Sequence, residues 1–97
     1  MSGVIQVTMR GINTLLSSAT ATQTGDTFEP EQLNRAFQVL ITGTAHCLLE
    51  ASLDETNWLV LRTSTQSEGF STAEPWRYIR GHVSAFTSGA VSLYMSA

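Results

Sequence analysis

Residues 36–53 read AFQVLITGTAHCLLEASL, and this stretch decides the fold class. On both sides of Gly43-Thr44 the side chains alternate with a period of two, which is the spacing of a strand whose successive residues point to opposite faces. The stretch therefore predicts two strands joined by a short turn. The sets that share a face are Phe37, Val39 and Ile41 in the first strand and Cys47, Leu49, Ala51 and Leu53 in the second.

The same pattern continues on both sides of this stretch, where short predicted strands alternate with turns rich in Gly, Ser, Asp and Asn. We expect one all-β domain over residues 1–97, an antiparallel β-sandwich or jelly-roll-like barrel of six to eight short strands. Residues 1–35 are expected to form an N-terminal arm and loop, and 36–97 the sandwich core. Loops are predicted at 20–35, with one helical turn over 30–35, and at 64–75. The other predicted strands are Val4 to Met9, Ile12 to Ser18, Trp58 to Thr63, Arg77 to Phe86 and Val91 to Met95.

Charge is scarce in this sequence. Charged residues make up 13% of the chain, against about 25% in ordinary soluble domains. All five basic residues are arginine and the formal charge is −3, so the electrostatic footprint of a nucleic-acid-binding protein is absent. The N-terminus lacks the apolar region of a signal peptide, and no apolar run approaches the roughly 20 residues of a membrane span. We therefore expect no nucleic acid or membrane as a partner, and assembly in a cytoplasm.

Two long stretches, 36–49 and 81–97, contain no Asp, Glu, Lys or Arg at all. Sheet edges are usually guarded by charges, because their unpaired backbone groups recruit other chains. Either these stretches form central strands, which are also poor in charge, or neighbouring subunits cover them. The lack of lysine throughout the chain favours a covered surface, so we expect a homo-oligomer.

The residues that catalysis or metal binding needs are sparse. His46 and Cys47 are consecutive in a predicted strand, so they point to opposite faces and cannot share a metal. Cys47 is expected to be a buried thiol, and His82 has no carboxylate near it in the sequence. The run 54–57, DETN, is expected to be a polar hairpin turn and not a calcium loop. We therefore expect no enzyme activity, no metal and no cofactor.

The aromatic residues open an alternative, because sugar-binding sandwiches stack their ligands on exposed rings. Trp58 precedes Leu59, Val60 and Leu61, so we expect it to anchor the core. Trp76 and Tyr78 share a face and form a candidate platform. This pattern keeps a carbohydrate-binding module for attachment to a host surface as the alternative function.

Residues 49–58, LEASLDETNW, and 78–95, YIRGHVSAFTSGAVSLYM, resemble small β-sandwich accessory proteins of tailed-phage virions. The shared pattern is a strand, a D-x-x-N-W hairpin, a later strand carrying Y-I-R, a Ser-Gly turn and an alternating last strand. The resemblance spans about 36–97. It implies a capsid cement or decoration protein of the virion, or else a tail or head–tail connector component.

Such a role implies contacts with the major capsid protein, with copies of the same chain, or with both. We expect the segment from Ser2 to Arg10 to reach a neighbouring subunit or to add a strand to it. Arg77 and Arg80 are expected to be available for carboxylates on the partner. The predicted interface residues are Val4, Ile5, Val7, Trp76, Arg77, Tyr78 and Arg80.

Overall fold

The structure, a computed structural model, describes residues 4–6, 12–30 and 35–96, and within them the chain forms ten strands. It contains no helix over these residues that is long and apolar enough to cross a membrane. The strands are β1 (Val4–Gln6), β2 (Ile12–Ala19), β3 (Gln23–Thr24), β4 (Thr27–Glu29), β5 (Arg35–Thr42), β6 (Ala45–Ser52), β7 (Leu59–Ser64), β8 (Glu68–Thr72), β9 (Tyr78–Phe86) and β10 (Ala90–Ser96).

Two sheets pack face to face, so the predicted antiparallel β-sandwich is confirmed. The larger sheet has the order β1-β4-β9-β6-β7, with β3 also paired to β9, and the smaller sheet has the order β2-β10-β5-β8. The described pairs are antiparallel except for β1 with β4, which is parallel. Within the core, β2 packs on β9 and β10 packs on β6.

The centre of the sandwich is one long antiparallel ribbon folded over on itself. β5 pairs with β10 in the smaller sheet, and their continuations β6 and β9 pair in the larger sheet. The ribbon bends where Gly43 and Gly89, with φ of 83° and 89°, adopt the left-handed conformation that glycine tolerates best. The two bends are tied together, because the Thr44 N–H donates to the Ser88 carbonyl at 3.1 Å and the Thr87 N–H to the Thr44 carbonyl at 2.9 Å.

This ribbon explains the two charge-free stretches. The strands that they contain, β5, β6, β9 and β10, each have a neighbour on both sides. Their inward side chains form most of the core, where a charge would have to be desolvated. Of the two alternatives that the sequence left open, the central position is the one that the structure shows. The fully buried members include Val39, Leu49, Ile79, Val83, Val91, Leu93 and Met95.

The two predicted loops are wrong in part, because each contains strands. In the first, β3 and β4 run along β9 and are separated by a break at Gly25, whose N–H donates to the Gly81 carbonyl at 2.8 Å. In the second, β8 pairs with β5, and Phe70 stacks on Phe37 with ring centroids 5.2 Å apart. These strands have only two to five residues and no apolar run that alternates with a period of two, so it is pairing with a neighbouring strand that makes them extended. These three strands raise the total above the expected six to eight.

Part of the segment predicted as an arm and loop contributes to the sandwich. Leu15, Leu16 and Ala19 on β2 are buried in the core, and Phe28 on β4 joins them. Of the opening strand predicted from Val4 to Met9, Val4–Gln6 form β1, and the rest lies outside the described residues. The predicted helical turn falls mostly on 31–34, which are also outside them, while Arg35 begins β5.

Candidate functional site

The predicted interface residues that the structure describes belong to the large sheet, on the edge strand β1 and around the start of the central strand β9, with β4 between them. Val4 and Ile5 lie in β1, which pairs with β4 of the same chain and so adds a strand to its own sheet. Val7 lies outside the described residues. The others sit at or just before the start of β9; these are Trp76, Arg77, Tyr78 and Arg80.

Arg77 is held by groups of its own chain. Its Nε–H donates to the Tyr78 hydroxyl at 2.8 Å, its guanidinium lies 5.3 Å from the centre of that ring, and Nη2 is 3.1 Å from Glu29 Oε2. The hydrogen bond to Tyr78, with smaller contributions from nearby charges, raises the pKa of Arg77.

Arg80 belongs to a second cluster, on the outer face of the large sheet. Its Nε lies 2.7 Å from Glu50 Oε1, and its guanidinium lies 4.0 Å from the centre of the Trp58 ring. His82 Nδ1 lies 3.1 Å from the other oxygen of Glu50. The carboxylate of this nearly buried glutamate is thus shared between an arginine and a histidine.

These clusters correct one expectation and add a contact that the sequence does not show. Arg77 and Arg80 each pair with a carboxylate of their own chain, and their contact with carboxylates of a partner stays a prediction. Trp58 does not anchor the core, since its ring lies against Arg80 and its Nε1–H donates to the Glu55 carbonyl at 3.2 Å. His82 does have a carboxylate beside it, which the sequence reasoning missed. The missing signal is the register of β6 with β9, which pairs Glu50 with Arg80.

The candidate aromatic platform does not form as expected. Trp76 is half-buried and packs against the core, and its Nε1–H donates to Glu74 Oε1 at 3.1 Å. The ring of Tyr78 is flanked by the guanidinium of Arg77. Trp76 does line a shallow depression of about 210 Å³ together with Leu53, Glu74 and Pro75. This geometry leaves the sugar-binding alternative without an observation that favours it.

An exposed apolar surface lies at the edge strand β7. Leu53, Leu59 and Val60 are 65%, 57% and 51% exposed, and we call these three residues the β7 edge strip. β7 is paired on one side only, to β6, so its other side presents backbone donors and acceptors. The sequence reasoning missed the strip, because an apolar run after a tryptophan suggested a strand buried on both faces.

Farther along β7 the edge is closed by polar contacts to β8, the edge strand of the other sheet. Arg62 forms an ion pair with Glu68, and its guanidinium lies 4.7 Å from the centre of the Phe70 ring. Ser64 donates a hydrogen bond to the same carboxylate. These contacts cover one stretch of the sandwich edge and leave the β7 edge strip as the open part of β7.

The turn between β6 and β7 is the polar hairpin turn that the sequence predicted. Asp54 Oδ1 accepts hydrogen bonds from Ser52 Oγ and from the backbone N–H groups of Thr56 and Asn57, at 2.8–2.9 Å. Oδ2 accepts a further one from Asn57 Nδ2 at 2.8 Å. Led by the Asn57 N–H, these donors hold the pKa of Asp54 well below its usual range. The carboxylate therefore serves to order the turn.

The remaining candidates for chemistry are separated as expected. His46 is exposed, whereas Cys47 is only 2% exposed, and burial raises the pKa of its thiol to about 11. A thiol in that state is a poor nucleophile. Over the residues that the structure describes, no three His, Cys, Asp or Glu side chains come together as metal ligands would.

Comparison with known proteins adds no relative to this picture. No family model, no curated protein and no solved structure matches the chain.

Proposed function

We propose that this protein is a structural component of a phage virion, a cement or decoration protein that binds the capsid through the β7 edge strip. Its partners are the major capsid protein and further copies of the same chain. The virion assignment comes from the resemblance of 36–97 to virion accessory proteins. The observation that carries the binding surface is the combination of three exposed apolar side chains with an edge strand that has a free side.

Two properties of the strip suit a docking surface. Leu53, Leu59 and Val60 all lie close in sequence to the β6–β7 turn. Leu59 and Val60 point to opposite faces of β7, so exposed apolar side chains flank its free edge on both sides, and apolar residues grouped at one edge mark interaction surfaces more often than scattered ones do. The free side of β7 can also accept a strand from another chain, with backbone hydrogen bonds giving affinity and side-chain contacts giving specificity.

The β7 edge strip, and not the charge-free stretches, now supports the argument that a partner covers part of the surface. Those stretches are central, so their low charge needs no partner to explain it. The edge at β7 is different, because Leu59 and Val60 stand where charged or proline residues usually guard a strand. Self-association and shell binding are therefore both proposed at this edge.

The test compares two charge insertions in particles. Val60→Glu places a charge in the strip, and Leu40→Glu is the matched control, since Leu40 is 43% exposed but lies on the central strand β5. Tagged versions of each variant and the unmodified protein would be supplied to virions of the encoding phage, and retention measured after gradient purification. We expect Val60→Glu to lower retention about tenfold or more, as loss of a central interface residue does.

Leu40→Glu should be retained like the unmodified protein. Because Val60 is directly opposite Glu50, Val60→Glu places two carboxylates side by side, so the melting temperature of each variant is measured in isolation and retention is compared at a temperature where both are folded. If the unmodified protein does not sediment with particles, the virion role is refuted. If both variants are retained equally, the role stands but the strip is not its binding surface.

A further inference from the structure

The end of the sandwich where β5 begins contains a buried cation. Arg35 is 3% exposed and lies on the inner face of the small sheet, in line with Phe37 and Val39. Its Nη1 donates to the Glu74 carbonyl at 3.3 Å, which is long for such a bond. Burial lowers the pKa of Arg35, since water is not there to stabilise its charge.

Arg35 differs from the other arginines that the structure describes. Arg62, Arg77 and Arg80 each lie within salt-bridge distance of a carboxylate. The most buried arginine of the four has no carboxylate at that distance among the described residues. Buried charges are normally paired, because an uncompensated one is costly.

A second polar group without a partner lies beside it. Thr72 on β8 is directly opposite Arg35 on β5, so the two side chains share the inner face of the sheet. Arg35 Nε and Thr72 Oγ1 are both buried, and neither has a hydrogen-bond partner within the described part of the chain. Two such atoms on adjacent residues indicate a place where an acceptor from elsewhere would bind.

The surroundings give such an acceptor access. Arg35 and Thr72 border an open depression of about 570 Å³, together with Ala36, Ser71, Ala73 and Ser96. These side chains are small, and none of the six is acidic. The long contact to the Glu74 carbonyl is the one hydrogen bond that the guanidinium makes to the described residues, and a turn towards the depression would exchange it for a bond to the acceptor.

We propose that Arg35 and Thr72 form a binding site for a carboxylate group. The Nε and Nη2 edge of the guanidinium is planar and matches the two oxygens of a carboxylate, while the Thr72 hydroxyl can donate to one of them. The single negative charge of a carboxylate balances the single buried cation. A phosphate dianion would leave one negative charge uncompensated in a chain whose net charge is already negative. This site is separate from the β7 edge strip and does not depend on the virion assignment.

The test observes the Arg35 Nε–H directly by ¹⁵N NMR of the full chain. Sodium acetate is the probe, with sodium chloride at equal ionic strength and acetamide as controls for charge and for shape. We expect acetate to move the Arg35 resonance downfield to saturation, while chloride and acetamide leave it in place. The Arg62 Nε–H, which already bonds to Glu68, is the internal control and should not respond.

Two variants test the assigned groups. Thr72→Val keeps the shape of the side chain and removes the hydroxyl, and should weaken acetate binding about fivefold, the effect of one hydrogen bond. Arg35→Lys keeps the charge without the planar edge and should remove saturable binding. The measurement on the unmodified chain still decides the matter if Arg35→Lys does not fold.

Three results would overturn the proposal. One is an Arg35 resonance that acetate does not move. Another is tighter binding of inorganic phosphate than of acetate, which would assign the site to a different anion. The third is an Arg35 Nε–H already shifted downfield before any probe is added, which would show that a carboxylate of the chain itself occupies the position.

Discussion

Replacing Gly89 by alanine tests whether the bent ribbon organises the fold. Gly89 has φ of 89° and lies at the bend between β9 and β10. A Cβ atom at this position would lie 1.5 Å from the Thr42 carbonyl oxygen and 2.3 Å from the Thr42 carbonyl carbon. Both are backbone atoms of the other bend, so no side-chain rotation relieves the clash.

The expected loss of stability follows from these two effects. The left-handed conformation alone costs a non-glycine residue about 1–2 kcal/mol. Separating Gly89 from Thr42 must also disturb the hydrogen bonds between the bends, at about 1 kcal/mol each. We therefore expect Gly89→Ala to lower the free energy of unfolding by at least about 3 kcal/mol, out of about 5–15 kcal/mol for a domain. At about 4–8 °C for each kcal/mol, the melting temperature should fall by at least about 12 °C.

Gly69→Ala is the matched control. Gly69 lies in the edge strand β8, and the nearest atom to an added Cβ is the Phe37 carbonyl oxygen at 3.6 Å, an ordinary contact. Alanine there should be neutral or stabilising by up to about 1 kcal/mol. Thermal and urea unfolding followed by circular dichroism would measure both variants. Equal stability of the two variants would refute the reasoning, because the bend would then tolerate a side chain as an open edge does.

Three further predictions concern single side chains. Asp54→Asn should destabilise the protein at pH 7. Because the folded pKa of Asp54 is lowered, the stabilisation by its carboxylate is full above about pH 4 and is lost as the pH falls further. Urea unfolding of the variant and of the unmodified protein should therefore give the same stability in acid. Cys47 should resist a thiol-specific reagent at pH 8 in the native protein and react at once in guanidinium; rapid native labelling would contradict its burial. Leu93→Ala should cost about 2–5 kcal/mol in chemical unfolding, and a loss below 1 kcal/mol would show that this side chain is not in a packed core.

The strands of the bent ribbon were predictable from the sequence, because each is long and alternates on its own. β5 was expected from 36–42 and spans Arg35–Thr42, and β9 was expected from 77–86 and spans Tyr78–Phe86. The strands β3, β4 and β8 were not predictable in this way. They have two to five residues each and are extended because a long neighbour supplies their hydrogen bonds.

The contacts on the outer face of the large sheet show the same limit. Periodicity placed Tyr78, Arg80 and His82 on one face of β9, and the structure agrees. It could not reveal that Glu50 lies between Arg80 and His82, since that depends on the register of two strands about 30 residues apart in the chain. Trp58 was wrongly predicted to anchor the core for the same reason. Its apolar neighbours in the sequence suggested burial, whereas in the structure its ring lies against Arg80 on the outer face of the sheet.

Low charge therefore has two different meanings in this chain. In the bent ribbon it follows from position, because strands with neighbours on both sides and a core face have little room for charge. At Leu59 and Val60 no such reason applies, since β7 is an edge strand and both side chains are more than half exposed. A monomer would gain solubility and protection from stray pairing by placing charge there. The partner-binding surface that we propose is thus the short apolar edge of β7, and not the long uncharged stretches that first suggested a partner.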